Sequence, residues 1–412
     1  MKKQYFIFAG AFFFALGGNI LGFSLIFRLA DTFSFDPGQI GTFIALGQVA
    51  FFLGCNLYHR FASTLDPIRV FSVSAIVVFF ASILLSAAPT ETLVYASYWI
   101  IQLGSGLFWP PVMAWLTHGL DNKELNREMS FYNRSWMSAN MVGPLIAGAV
   151  YSRSSALNFL VIIFSYFLVL LSLFFLRRYL QKQDGNNAIP ATELPVLAAP
   201  SDVVSDAAAA PSTSADRFYS PVSRTIDVKL DLYRYRGWIS GMSSAVFLGV
   251  LSNIVPLYIR DGLGHSEMSA GLLLFIRCVS GLIGFSLLAH ITSWHFNRRW
   301  FLYVQAGLIL CSFLFILAGG QLWFFFVIVL MYGFLNSAGY SNSMFYSGAT
   351  GKNPKKNLAL HEIFLCIGNA AGTAGGGFFY QRFGFSGTCL VLILVLGLGL
   401  AVFVLLERRD RG

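Results

Sequence analysis

Long apolar runs separated by short polar connectors recur along the chain. A helix needs about 20 apolar residues to cross a hydrocarbon core of about 30 Å. Runs of that order cover 4–27, 39–58, 68–88, 92–117, 130–151 and 156–176, then 237–259, 267–291, 300–318, 321–347, 357–379 and 384–406. Between the two groups lies a polar stretch containing AIPATELPVLAAPSDVVSDAAAAPSTSAD, without a usable periodicity. Such a composition buries too little apolar surface to fold, so a disordered tether is expected. The pattern predicts an all-α integral membrane protein of twelve transmembrane helices. They form an N-terminal six-helix bundle over 1–178, a linker over 179–235 and a C-terminal six-helix bundle over 236–412.

Composition strengthens this reading. The chain is 56% hydrophobic and only 11% charged, against roughly 25% charged in an average soluble domain. That is too little polar surface to coat a globule of this size, so apolar surface must face lipid. The start, MKKQYFIFAGAFFFALGG, has the basic and apolar regions of a signal peptide. Its apolar run continues to spanning length without an A-x-A-like site, and it reads as an uncleaved first helix. The net charge of +9 does not point to nucleic acid, because the cations sit in clusters between apolar runs. Of the 28 Lys and Arg residues, only Arg28, Arg153, Arg260 and Arg382 fall on the face opposite the termini, and Arg134 and Arg277 lie inside spans. The positive-inside rule then places both termini and the linker in the cytoplasm. The five cysteines lie within apolar runs without CxxC spacing, so neither disulfides nor a metal site is expected.

The two groups of runs resemble each other in register. Ser24-Leu-Ile-Phe-Arg28 parallels Pro256-Leu-Tyr-Ile-Arg260. Gly41 and Gly54 in span two match Gly271 and Gly284 in span eight, and Gly143-Pro-Leu-Ile-Ala-Gly148 matches the glycine-rich run from Gly372 to Gly377. Three pairs in matching order indicate duplication. Small residues at such spacings let helix backbones approach closely in lipid.

On these residues the chain resembles the major facilitator superfamily of secondary transporters. Gly54 to Arg69, with Asp66, is similar to that family's loop between helices two and three, although Tyr58 and His59 stand where an acidic residue is expected. The stretch around Gly143, Pro144 and Gly148 resembles its antiporter motif in helix five. Gln102-Leu-Gly-Ser-Gly-Leu-Phe-Trp109-Pro resembles the helix-four motif, with Tyr98 in place of the usual arginine. The resemblance implies two pseudo-symmetric six-helix bundles about a central path lined by helices one, four, seven and ten.

Polar residues inside spans supply the candidate chemistry. Arg277 lies about ten residues, or about 15 Å, into span eight, at the midplane, where a charge is costly; it reads either as an anion contact or as a structural cation. Tyr98, Gln102 and Trp109 share one face of span four, Asn336 and Tyr340 one face of span ten, and Asn19 and Asn253 occupy spans one and seven. They are the candidate cavity residues. Asn133, Arg134, His361 and Glu362 lie nearer the terminal face of spans five and eleven, as gate or proton-coupling candidates. His361-Glu362 lacks the second His of a helical zinc site, and there is no P-loop. No cofactor, enzymatic activity or nucleic-acid partner is expected. The expectation is a monomeric, multi-pass transporter of a small neutral or anionic solute in the cytoplasmic membrane, with a weak lean to export. The alternative is a non-transporting sensor or assembly protein of the same fold.

Overall fold

The structure is a computed structural model and describes residues 4–117, 122–186, 227–291, 293–349 and 354–411. Its elements are α1 (Gln4–Phe33), α2 (Pro37–Leu57), α3 (Pro67–Ser86), α4 (Glu91–Thr117), α5 (Asn122–Tyr151), α6 (Ser155–Asn186), α7 (Asp227–Leu257), α8 (Glu267–His290), α9 (Arg298–Leu317) and α10 (Leu322–Ala349). The last helical stretch, Pro354–Arg411, is two helices, α11 (354–383) and α12 (385–411), meeting at Gly384 with φ 67° and ψ −172°. A left-handed φ of this kind is open to glycine at little cost. Short π-helical turns, Tyr58–Ala62 and Tyr258–Gly262, extend α2 and α7.

Helix starts follow local chemistry. Asp36 caps α2, accepting a bond from the Gln39 amide at 2.8 Å while the Gln39 side chain returns one at 2.9 Å. Pro37 occupies the first turn, where its missing N–H costs nothing. Asp66-Pro67 repeats the device at α3. Elsewhere the helices outrun the apolar stretches. α5 begins at Asn122, α6 continues to Asn186 and α7 starts at Asp227. Helix thus enters both ends of the expected linker, and the rest of that linker, 187–226, lies outside the described residues. Hydropathy marks where lipid is, whereas hydrogen bonding carries a helix on into water.

Among the described residues, nine helical stretches are long and apolar enough to cross a membrane. The ninth, Lys356–Leu406, spans 51 residues, long enough for two crossings, and breaks at Gly384. α4 and α5 fall outside the nine because their polar residues lower the mean hydropathy. Within the first half, α1 packs on α5 and α6, and α4 on α2 and α3; within the second, α7 packs on α10 and α11, and α8 on α10. The halves meet chiefly through two helix pairs, α2 with α11 and α5 with α8, with smaller contacts of α7 on α1 and α2. Bulky apolar side chains such as Phe80, Leu160, Leu394 and Leu398 are exposed on the outside, as lipid-facing positions must be.

The predicted glycines explain the seam. A Cβ on Gly41 would strike the Thr373 carbonyl, and one on Gly377 the Pro37 carbonyl. Across the second pair, a Cβ on Gly271 would strike the Pro144 carbonyl and one on Gly148 the Glu267 carbonyl. These backbone-on-backbone approaches all lie at the end of the seam away from the termini, here termed the far side. Gly54 packs instead within its own half, against Leu103 and Gly106 of α4, and Gly143 packs on Asn19 of α1.

Candidate functional site

A row of polar side chains crosses the middle of the molecule. Asn19 donates to the Asn140 Oδ1 at 2.6 Å and to the Ala15 carbonyl at 2.8 Å, tying α1 to α5. On the other side of the seam, the Cys278 thiol reaches the Asn140 carbonyl at 3.7 Å, and Arg277 donates to the Cys278 sulfur at 3.0 Å. The four side chains are half-buried and bridge the two bundles. Arg277 Nε is buried without a hydrogen-bond partner, and among the described residues no carboxylate pairs with this guanidinium.

The cavity candidates fall into matched sets. Asn253 donates to the Gly249 carbonyl at 2.9 Å and to Thr373 Oγ1 at 3.1 Å. In the second half it thus copies what Asn19 does in the first, linking α7 to α11. Gln102 donates to the Tyr98 hydroxyl at 3.2 Å, and Asn336 accepts from the Tyr332 hydroxyl at 3.2 Å and from Ser244 Oγ at 2.7 Å. The two tyrosines are buried: Tyr98 stacks on Phe43 at 4.8 Å and Tyr332 on Phe247 at 4.3 Å. The structure therefore places Tyr98 within the α2–α4 packing, over Gly47, and Asn253 within the α7–α11 contact. Both are joints of the scaffold rather than open cavity wall. Gln102, Trp109, Asn336 and Tyr340 remain half-buried. Trp109 packs edge-on against Phe14 at 5.4 Å, and Tyr340 edge-on against His361 at 5.0 Å.

The gate candidates separate. His361 is 1% exposed and its Nδ1 lies 2.7 Å from Ser343 Oγ. Glu362 is 65% exposed, with its carboxylate 3.8 Å from His361 Nε2. Asn133 and Arg134 are exposed; Asn133 accepts from the Trp136 indole at 3.1 Å and Arg134 lies over Phe131 at 5.0 Å. Asp66 caps α3 and stands 3.7 Å from Arg69, an exposed pair. Pro144 and Gly148 belong to the seam itself, as described above.

The far side carries a cluster that the sequence did not single out. Arg260, at the end of α7, meets Asp31 of α1 at 2.8 Å, Asp261 at 2.6 Å and Glu267 at 3.9 Å. Tyr151 of α5 donates to Asp31 at 3.2 Å, and the Arg260 guanidinium lies 4.7 Å from the Phe27 ring. The cluster joins the halves just beyond the glycine contacts. Arg28, which matches Arg260 in the repeat, instead donates to the Ser86 carbonyl at 3.0 Å and neutralises the carbonyl end of α3. A register comparison shows that the two arginines correspond; only folding shows that one is a cap and the other a bridge.

No curated protein matches the chain. Solved structures share its fold. A bacterial homologue of the human lysosomal transporter Spinster superposes with a TM-score of 0.69 at 12% identity, covering 98% of this chain and 97% of that one. The nucleoside transporter NupG gives 0.70 at 12% identity, with 99% of each chain covered. A bacterial homologue of the iron transporter ferroportin gives 0.69 at 16% identity, with 98% of each covered. The sequence profile of the Major Facilitator Superfamily matches residues 7–357. With that match, and with twelve helices in two bundles, each tied internally by an asparagine at Asn19 or Asn253, the chain belongs to the Major Facilitator Superfamily of membrane transporters.

Proposed function

We propose that the protein is a secondary active transporter that moves a small organic solute, neutral or anionic, across the cytoplasmic membrane by alternating access. The observation that carries this reading is the uneven seam. On the far side the halves touch backbone to backbone and are bridged by Arg260. At the midplane they are joined by half-buried polar side chains, and near the termini Asn133, Arg134 and Glu362 are exposed. A polar centre sealed from one side suits a carrier open towards the terminal face. The Lys and Arg clusters of that face assign it to the cytoplasm. Candidate wall residues are Gln102, Trp109, Asn336 and Tyr340, with Arg277 at the seam. Glu362, an exposed carboxylate on a helix of the seam, is the candidate proton-coupling group. The helix-five segment around Gly143 and Pro144 leans towards export.

The test is flux of a solute panel into proteoliposomes, with and without a pH gradient. Gradient-dependent movement of a small organic solute supports transport, whereas binding without movement supports a sensor. If E362Q leaves gradient-driven flux intact, Glu362 is not the coupling group.

A further inference from the structure

We propose that Arg277 is the seat of a ligand anion, so that the central site takes an organic solute carrying one carboxylate. This rests on the transporter reading and narrows its substrate class.

The register of the repeat supplies the first argument. Gly41 and Gly54 correspond to Gly271 and Gly284, and the same offset pairs Arg277 with Gly47. In the first half that position has no side chain, and the Tyr98 ring fills the space over it. The fold therefore closes without a cation here, and Arg277 is an addition to one half rather than a requirement of the architecture.

The second argument is electrostatic. A guanidinium at the midplane is costly unless something compensates it. The nearby acids are committed elsewhere: Asp31, Asp261 and Glu267 surround Arg260 on the far side, and Glu362 stands beside His361 near the terminal face. What Arg277 has instead is the Cys278 thiol, a weak acceptor, and a buried Nε–H with no acceptor. A carboxylate taking the edge now held by the thiol would bring charge and two acceptor oxygens to a planar fork built for them. A single uncompensated cation matches a single negative charge.

The third argument is access. Arg277, Cys278 and Asn140 are half-buried rather than sealed. On α1, which lies inside its bundle against α5 and α6, Gly18 is exposed and a Cβ on Gly22 would meet nothing within 4 Å. The surface of α1 is therefore uncovered one residue before Asn19 and three residues after it.

The neighbouring thiol allows a test that needs neither the natural solute nor flux. In reconstituted protein retaining Cys278, with the other four cysteines replaced by Ala, labelling is timed with methanethiosulfonates bearing a sulfonate or a trimethylammonium group. With each rate divided by that reagent's rate with a simple thiol in solution, the anionic reagent is expected to exceed the cationic one at least about tenfold. Excess acetate, but not acetamide, is expected to slow the reaction. R277Q should bring the ratio close to one and remove the acetate effect, while R277K, with its charge intact, should keep both. Thermal unfolding of each variant establishes that it is folded. A ratio near one with Arg277 present, a ratio unchanged in R277Q, or equal protection by acetate and acetamide overturns the proposal. Since no flux is read, these outcomes are independent of whether transport itself is found.

Discussion

At the scale of single residues, most of the polar groups in the spans are structural connectors satisfied by a neighbour one turn away or on the next helix. Asn19 and Asn253 each bond the carbonyl four residues back and a partner on a second helix. Interhelical hydrogen bonds in membranes average about 0.6 kcal/mol, with a maximum near 1.7. N253A is therefore expected to lower unfolding free energy by about that amount, measured by denaturation in mixed micelles. A loss of several kcal/mol would show that the Asn253–Thr373 contact holds more than one helix pair. Asn19, Asn253 and the stripes of α4 and α10 were legible as polar positions at helical spacing. Which of them face a partner and which face open space was not, because spacing defines a face and not what lies against it. Tyr98 illustrates the point: its periodicity suits a cavity, but the absence of a Cβ at Gly47 draws its ring into the packing.

At the scale of elements, the seam depends on small residues. The contacts of Gly271 with Pro144, of Gly148 with Glu267 and of Gly377 with Pro37 leave no room for a side chain. A β-branched residue at Gly148 must push α5 from α8, and overpacking of this kind costs about 1–3 kcal/mol. Because that cost falls only on the state closed on the far side, G148V is expected to shift the protein away from it. The measurement is labelling of Cys278 by an impermeant thiol reagent applied from the far side, which should rise by about an order of magnitude at 1.4 kcal/mol. Unchanged labelling would mean that α2 and α11 alone keep the far side shut. The same glycines in the sequence announce close packing, and their matched spacing announces duplication. They do not announce that Gly41 meets α11 while Gly54 meets α4.

For the whole molecule, the far side is bridged by Asp31 and Arg260. The pair is partly exposed, 45% and 16% for the two side chains, so its strength belongs near that of surface ion pairs, at most about 1 kcal/mol. D31N should accordingly shift the balance of conformations by no more than about fivefold, read as the distribution of spin-label distances across the far side. The charge swap D31R with R260D is not expected to restore the original balance. It would place a third carboxylate beside Asp261 and Glu267, which Arg260 now compensates. Full rescue by the swap would show that those two acids contribute nothing to closure.

What the sequence by itself determined is what depends on local composition and order. Long apolar runs meet the length of a bilayer, cations cluster on one face, and matched glycines and arginines reveal two copies of one bundle. These follow from solvent preference and from chain order, which no partner helix is needed to read. Only the tertiary structure decided what depends on which helices lie against one another. It separated Arg28 as a helix cap from Arg260 as a bridge to Asp31, put Asn253 into a joint, and left Arg277 beside a thiol with no carboxylate among the described residues. The physical reason is that a buried polar group is defined by what satisfies it, and that partner lies on another helix.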